Sequence, residues 1–313
     1  MKWYYILLII IGSLLLLNIL ITLITSYVSY RLTFYVNRKK EYDDNELPFE
    51  EYAKYKDAII NRMNLAKNSK YEDFYIKSFD GLKLHAMYFE SIPGAPIEIL
   101  VHGYRGSAFR DMAPGIDRAK AVGRNAFLID QRTSGKSEGH TITFGINERH
   151  DVISWINFII EHFGKDVEIY LGGVSMGGST VLLTSNMNLP ENVKGILADS
   201  SFYSAKEIIK KVVKDMKLPP NLMYPFIKLG AKLFGKFNLE EATPIEAVKN
   251  TKIPIIFYHG DADSFVPLEM SAKLFMACNS KSKFIIIPDA VHAICYLVDP
   301  LKYENELKDF INR

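Results

Sequence analysis

The stretch VEIYLGGVSMGGST, residues 167–180, leaves Ser175 among glycines at the end of an apolar run. Gly173-Val174-Ser175-Met176-Gly177 fits G-x-S-x-G, the strand-to-helix elbow that presents a serine hydroxyl as nucleophile. Gly173 and Gly177 suit a strained turn in which strand and helix approach too closely for a Cβ. Such a pentapeptide arises by chance in roughly one chain in ten of this length, given ordinary Gly and Ser frequencies. Its surroundings must therefore carry the argument. A serine hydroxyl is a poor nucleophile until a base within hydrogen-bond reach takes its proton. An imidazole can take that proton and return it to a leaving group, and a carboxylate can fix the imidazole's tautomer.

Groups of these types recur at the ends of apolar runs. ILVHGYRGS holds His102-Gly103-Tyr104, FLIDQRTSGKSEG holds Asp130, ILADSSF holds Asp199, FYHGDADSFVP holds Asp261 and Asp263, and IIIPDAVHA holds His292. Ligands of open parallel sheets bind beyond the carboxyl ends of the strands, so polar groups there are read for function first. Asp199, Asp261 and Asp263 all stand open at this level as partners for His292.

The elements that must position these residues follow from the pattern of the runs. IEILVHG, NAFLIDQ, VEIYLGG, VKGILADS, IPIIFYHG and KFIIIPDA alternate with helical or connecting stretches, which reads as a mostly parallel sheet covered by helices. Before them, FYIKSFDGLKLHAMYFE alternates around Asp80-Gly81, a strong hairpin signal. Residues 202–249, which include LPPNLMYPFIKLGAKLFGKF, form an insertion far longer than an ordinary connection. It is expected to be a helical lid over the sheet's carboxyl edge.

From Trp3 to Tyr30 no side chain is charged, a span longer than the roughly 20 residues a bilayer core requires. No small-residue cleavage site follows it. Residues 1–30 are thus expected to be an uncleaved transmembrane anchor, with Trp3, Tyr4 and Tyr5 at one interface and Tyr27 and Tyr30 at the other. Lys2 faces Arg31, Arg38, Lys39 and Lys40 across the span, so the positive-inside bias tips the single-pass topology toward a cytoplasmic domain, with the opposite orientation close behind. Residues 31–70 read as a juxtamembrane linker and a helix packed on the domain, and 71–313 as that domain. Nothing singled out for chemistry lies before residue 71, so the first 30 residues read as dispensable to it.

Composition excludes other classes. The 313 residues are 48% hydrophobic with a formal net charge of +2, enough for one large core and too mild a charge for a nucleic-acid partner. Cys278 and Cys295 are too few for a disulfide framework, have no zinc spacing, and read as small core residues.

HGYRGS, DQRTSGKS, GVSMGG, HGDADSFVP and DAVHA, in that order, resemble the α/β-hydrolase superfamily over about residues 71–313, most of all its membrane-anchored bacterial serine hydrolases and esterases. The resemblance implies an α/β-hydrolase fold with a helical lid. It also implies a Ser175, Asp263, His292 triad in the family's chain order, with Asp199 the next candidate for the acid. It puts the oxyanion donors at the backbone N–H groups of Tyr104 and Met176. His102 is then a loop-holding residue, and Asp130 and Arg132 brace neighbouring loops. Thr133 departs from the family, which has glycine after the arginine. The implied function is hydrolysis of an ester, or of a thioester or amide, through an acyl-Ser175 intermediate. No metal or organic cofactor is called for, and the partner is a small or lipid-like acyl substrate, since both the lid and the anchor are apolar. A small-peptide or acyl-peptide hydrolase is the alternative within the class, and a non-catalytic binding protein on the same fold is the alternative outside it.

Overall fold

The computed structural model describes residues 3–38 and 50–311. Residues 39–49 of the expected linker, Lys39 and Lys40 among them, lie outside the described residues. Eight strands form one sheet: β1 (Glu72–Lys77), β2 (Lys83–Phe89), β3 (Ile97–Val101), β4 (Asn125–Asp130), β5 (Ile169–Val174), β6 (Val193–Asp199), β7 (Ile255–Gly260) and β8 (Ser282–Ile287). Their order is β1-β2-β4-β3-β5-β6-β7-β8. β2 pairs antiparallel with β1 and with β4, and the other pairings are parallel. The Asp80-Gly81 turn joins β1 to β2, and Gly81 takes the left-handed φ of 95° such a turn needs.

The helices are α1 (Trp3–Thr33), α2 (Lys56–Asn68), α3 (Ala108–Ala121), α4 (Glu148–Phe163), α5 (Met176–Thr184), α6 (Ala205–Asp215), α7 (Pro220–Leu233), α8 (Pro244–Asn250), α9 (Leu268–Ala277), α10 (Cys295–Val298) and α11 (Pro300–Ile311). Strand alternation feeds two cores. Phe127 and Ile129 of β4 pack with Trp155 and Ile156 of α4 and Leu182 of α5, whereas Ala126 and Leu128 face Met112 and Ala119 of α3. Residues two apart share a face and successive residues do not, so the central strands are apolar throughout because both faces are covered.

After β3 the chain moves to β4 on one side, then crosses to β5 on the other. The crevice beyond β3 and β5 is therefore the switch point at which open α/β sheets bind ligands.

The N-terminal helix departs from the expected division. α1 continues to Thr33, three residues beyond the expected boundary, and its last turns belong to the folded core. Every side chain from Trp3 to Ile21 is exposed, but Ser26, Ser29, Tyr30 and Phe34 are buried. Tyr30 and Phe34 share a cluster with Tyr224, Ile227 and Ala231 of α7 and with Phe237. A Cβ on Gly230 would collide with the Ser26 carbonyl oxygen, so only glycine lets α1 and α7 approach this closely. Beyond the helix, Val36 N donates to the His140 carbonyl (2.8 Å) and Ile142 N to that of Phe34 (2.8 Å). The last turns of α1, from Ser26 onward, are thus not separable from the domain, and Ile227, Ala231 and Phe237 of the insertion pack against them.

Removing residues 1–21 is expected to leave thermal stability close to that of the whole chain. Removing residues 1–30 is expected to cost at least about 2 kcal/mol, the scale for losing one large buried side chain such as Tyr30. Melting of the two shortened chains side by side checks this, and equal melting temperatures would show that the docked turns contribute nothing.

Candidate active site

β5 ends at Val174, and Ser175 takes a φ of 54° and ψ of −119° before α5 begins at Met176. A non-glycine residue held there costs of order 1–3 kcal/mol and persists only when its surroundings enforce it. Here Ser175 N donates to the Asp199 carbonyl (2.8 Å), while α5 is pressed against β3. A Cβ on Gly177 would collide with the carbonyl oxygens of Val101 and His102.

Three of the sequence candidates meet at this elbow. Nε2 of His292 lies 2.9 Å from Ser175 Oγ, and its Nδ1 lies 2.8 Å from Asp263 Oδ2. Burial pushes the Asp263 carboxyl upward, but the adjoining imidazoles of His292 and His259 outweigh it and hold the group well below the usual carboxylate range. Ionised, Asp263 can only accept. That assigns the proton to Nδ1 and leaves Nε2 of a neutral His292 to accept from the Ser175 hydroxyl. The other oxygen, Asp263 Oδ1, accepts from the N–H groups of Phe265 (3.0 Å) and Val266 (2.8 Å).

The other candidates do different work. Asp199 is buried and accepts from Ser200 Oγ (2.9 Å) and Tyr303 OH (3.1 Å). Burial raises its carboxyl, and the hydrogen bonds from Cys295 and Ser200 only partly offset that. Asp261 is exposed and accepts from Asp289 N (2.7 Å). His102 is tied to the end of β4, accepting at Nε2 from Gln131 N (3.1 Å) while Gln131 Nε2 donates to the His102 carbonyl (2.6 Å). Arg132 grips Asp151 (2.7 and 2.8 Å) and Asp80 (2.9 and 3.2 Å), and Asp130 binds His85 Nδ1 (2.7 Å). Thr133 has a φ of 78°, the left-handed backbone for which glycine is the unstrained residue.

A cavity of about 420 Å³ opens at Ser175 and His292. Its apolar wall comes from Tyr52, Ile59, Met112, Phe265, Ile294 and Leu297. None of the residues lining it belongs to 202–249, so the insertion expected to be a lid does not line this cavity. The wall comes instead from α2 and the turn before it, α3, the loop after β7, and α10 with the residue before it. Three contacts carry no assignment from sequence. His259 lies 3.2 Å from Asp263 Oδ2, Tyr52 OH donates to the His292 carbonyl (2.7 Å), and Tyr104 OH donates to the Thr33 carbonyl (2.7 Å). His259 stands inside HGDADSFVP and could have been questioned there. Tyr52 and Thr33 carry no local signal, because their contacts span 240 and 71 residues of sequence.

A family model described as alpha/beta hydrolase fold matches residues 99–233, which hold the end of β3, the elbow and most of the insertion. The chain is an α/β-hydrolase-fold protein. This hydrolase-fold chain is 22% identical over 192 residues to the uncharacterized protein YqkD of Bacillus subtilis (strain 168), covering 61% of this chain and 63% of that one. It is 24% identical over 250 residues to the alpha/beta hydrolase domain-containing protein WAV2 of Arabidopsis thaliana, covering 75% of each. The structure of an esterase of Pyrococcus furiosus shares its fold with a TM-score of 0.62 at 23% identity, over 78% of this chain and 92% of the other. These likenesses establish the α/β-hydrolase fold.

The opposite shifts of the two buried aspartates can be measured. A raised carboxyl contributes its full stability below its unfolded value of about 3.9 and loses it as pH rises toward its folded value. Asp199→Asn keeps the neutral shape and removes that loss. The variant is therefore expected to gain stability relative to the parent as pH rises from 4 to 8, measured by urea unfolding. A parent that gains on the variant over that range would mean Asp199 is ionised and stabilising.

Proposed function

We propose that the chain is a membrane-tethered serine hydrolase that cleaves a carboxylic ester, or less readily a thioester or amide, of an apolar acyl substrate. The observation that carries this reading is the hydrogen-bonded line from Ser175 Oγ through His292 to Asp263 at the end of an apolar cavity.

In this reading Ser175 Oγ attacks the substrate carbonyl carbon as His292 Nε2 takes the hydroxyl proton. Asp263 holds the resulting imidazolium without taking its proton. The carbonyl oxygen becomes an oxyanion, met by the backbone N–H groups of Met176 and Tyr104. Met176 is the first residue of α5, so its N–H has no acceptor within the helix and points where the helix dipole favours negative charge. As the intermediate collapses, the carbonyl re-forms, the C–O bond breaks, and His292 passes its proton to the departing alcohol. A water then attacks acyl-Ser175 with His292 again as base, releasing the acid and restoring the serine.

The apolar walls supply the substrate argument that the insertion does not. The cavity falls within the roughly 300–1,000 Å³ typical of small-molecule sites, and an acyl chain in it would meet Ile59, Met112, Ile294 and Leu297. The tether reading rests on α1, which is long and apolar enough to cross a membrane. Its fully exposed stretch, residues 3–21, spans about 28 Å at 1.5 Å per residue, close to the roughly 30 Å of a bilayer core.

Ser175→Ala is expected to abolish hydrolysis of p-nitrophenyl butyrate and labelling by a fluorophosphonate probe while leaving the melting temperature unchanged. Near-normal turnover in that variant would sink the mechanism. Asp263→Asn is expected to lower kcat by up to about 10⁴-fold, the scale seen when an aspartate that orients a catalytic histidine becomes an amide. Steady-state kinetics on folded protein should find Asp199→Asn and Asp261→Asn far milder, and the reverse order would move the acid to Asp199.

A further inference from the structure

The last turns of α1 touch the loop that carries one of the proposed oxyanion donors. A helix ends with carbonyls that have no partner within it, and here the loop after β3 supplies the donors. Tyr104 OH donates to the Thr33 carbonyl (2.7 Å). Arg105 Nη2 donates to the Leu32 carbonyl (2.9 Å) and to that of Tyr35 (3.3 Å).

The loop needs such support. Gly103 and Arg105 line both the cavity at Ser175 and a second one of about 340 Å³, so the loop is a partition with open space on two sides. Arg105 holds a left-handed φ of 51°, a conformation an arginine keeps only where its surroundings enforce it. Other ties grip the loop at its ends. Gly103 N donates to Asp111 Oδ2 (3.1 Å), Ser134 Oγ donates to the Gly106 carbonyl (2.8 Å), and Arg110 Nη2 reaches the Arg105 carbonyl (3.4 Å). The side chains of Tyr104 and Arg105 themselves reach outward, to α1. The Tyr104 ring also packs on Phe144, which in turn meets Phe34 just past the helix.

We infer that the end of the N-terminal helix is a positioning element of the active site: its Leu32 and Thr33 carbonyls, with that of Tyr35 just beyond it, hold Tyr104 and Arg105 so that the Tyr104 N–H faces the oxyanion. This rests on the hydrolase reading above and adds to it that catalysis depends on how α1 is seated. The seat itself is the α1–α7 seam, where Gly230 lies under Ser26 and Tyr30. A change in that seam therefore reaches the loop without touching Ser175, His292 or Asp263.

The test uses the whole chain in detergent micelles. Three proteins are compared: the parent, Tyr104→Phe/Arg105→Ala, which removes the donors and keeps the backbone N–H groups, and Gly230→Ala, which disturbs the seam alone. Losing one oxyanion donor outright costs roughly 10²- to 10³-fold. A donor kept but loosened is expected to cost about 10-fold in kcat per fluorophosphonate-titrated site, with KM within about two-fold. A merely structural role would lower the fraction of titratable sites and leave kcat per site unchanged. Amide hydrogen exchange over residues 103–106 is read on the same samples and is expected to accelerate in both variants. Unchanged exchange in the double variant overturns the inference whether or not the chain hydrolyses esters, and so does unchanged kcat per site. A parent whose turnover survives Ser175→Ala refutes the hydrolase reading instead. If Gly230→Ala does not fold, the double variant decides alone.

Discussion

The site depends on two backbones crossing with no room between them. β3 and β5 run side by side with Val101 opposite Gly173, and α5 turns back so tightly that Gly177 lies against the Val101 and His102 carbonyls. That crossing holds Ser175 in its left-handed conformation and brings the loop of Tyr104 beside it. The strain is small against the stabilisation supplied by a fully covered sheet, and it is localised where the chain changes direction. Glycine is required because the neighbouring backbone cannot yield, so the motif records a packing constraint as much as a chemical one.

Electrostatics then sorts groups that look alike in the sequence. Asp199 ends β6, Asp263 follows the neighbouring β7, and both are buried. Asp263 has two imidazoles and two backbone N–H groups around it, so its charge is solvated by the protein. The partners of Asp199 are neutral hydroxyls and a thiol, and burial dominates. A carboxyl that prefers to be neutral would be a poor companion for an imidazole that becomes a cation, as the proposed mechanism requires of His292. In the proposed triad Asp263 would be suited to that role by its surroundings rather than by its place in the chain, and strand-end position alone leaves three aspartates open.

The parts of this fold that were legible in the sequence are those fixed by short-range patterns. Each of the six apolar runs from IEILVHG to KFIIIPDA contains a strand, and the Asp80-Gly81 turn joins the expected antiparallel pair. The meeting of Ser175, His292 and Asp263 was reachable from motifs because each lies just beyond a strand end. What was hidden is long-range. An apolar helix followed by charges reads as a free anchor, and only the three-dimensional arrangement shows that Thr22, Thr25, Ser26, Ser29 and Tyr30, spaced three and four apart, form the face turned toward the domain. Their small and polar types carry no apolar stripe that would flag a buried face. The insertion misled for the complementary reason: its apolar residues are real, but Ile227, Ala231 and Phe237 pack with α1 rather than lining the cavity.

If α1 is the proposed anchor, its seating also bears on the distance at which the site would work. If residues 3–21 cross the bilayer, the twelve residues from Ile21 to Thr33 rise about 18 Å before the Tyr104 hydroxyl meets the helix. A substrate anchored in the membrane would have to lift its acyl carbonyl through a similar height to reach Ser175. Each methylene drawn into water costs about 0.8 kcal/mol, so a long chain would bear that cost unless apolar protein surface received it on the way. The cavity wall of Ile59, Met112, Ile294 and Leu297 is such a surface, and it belongs to the helices beside the sheet rather than to the insertion docked on the tether. Under the proposed reading, tether and cavity would make separate demands on the fold: one would set where the serine stands, and the other how much apolar chain can be sheltered there.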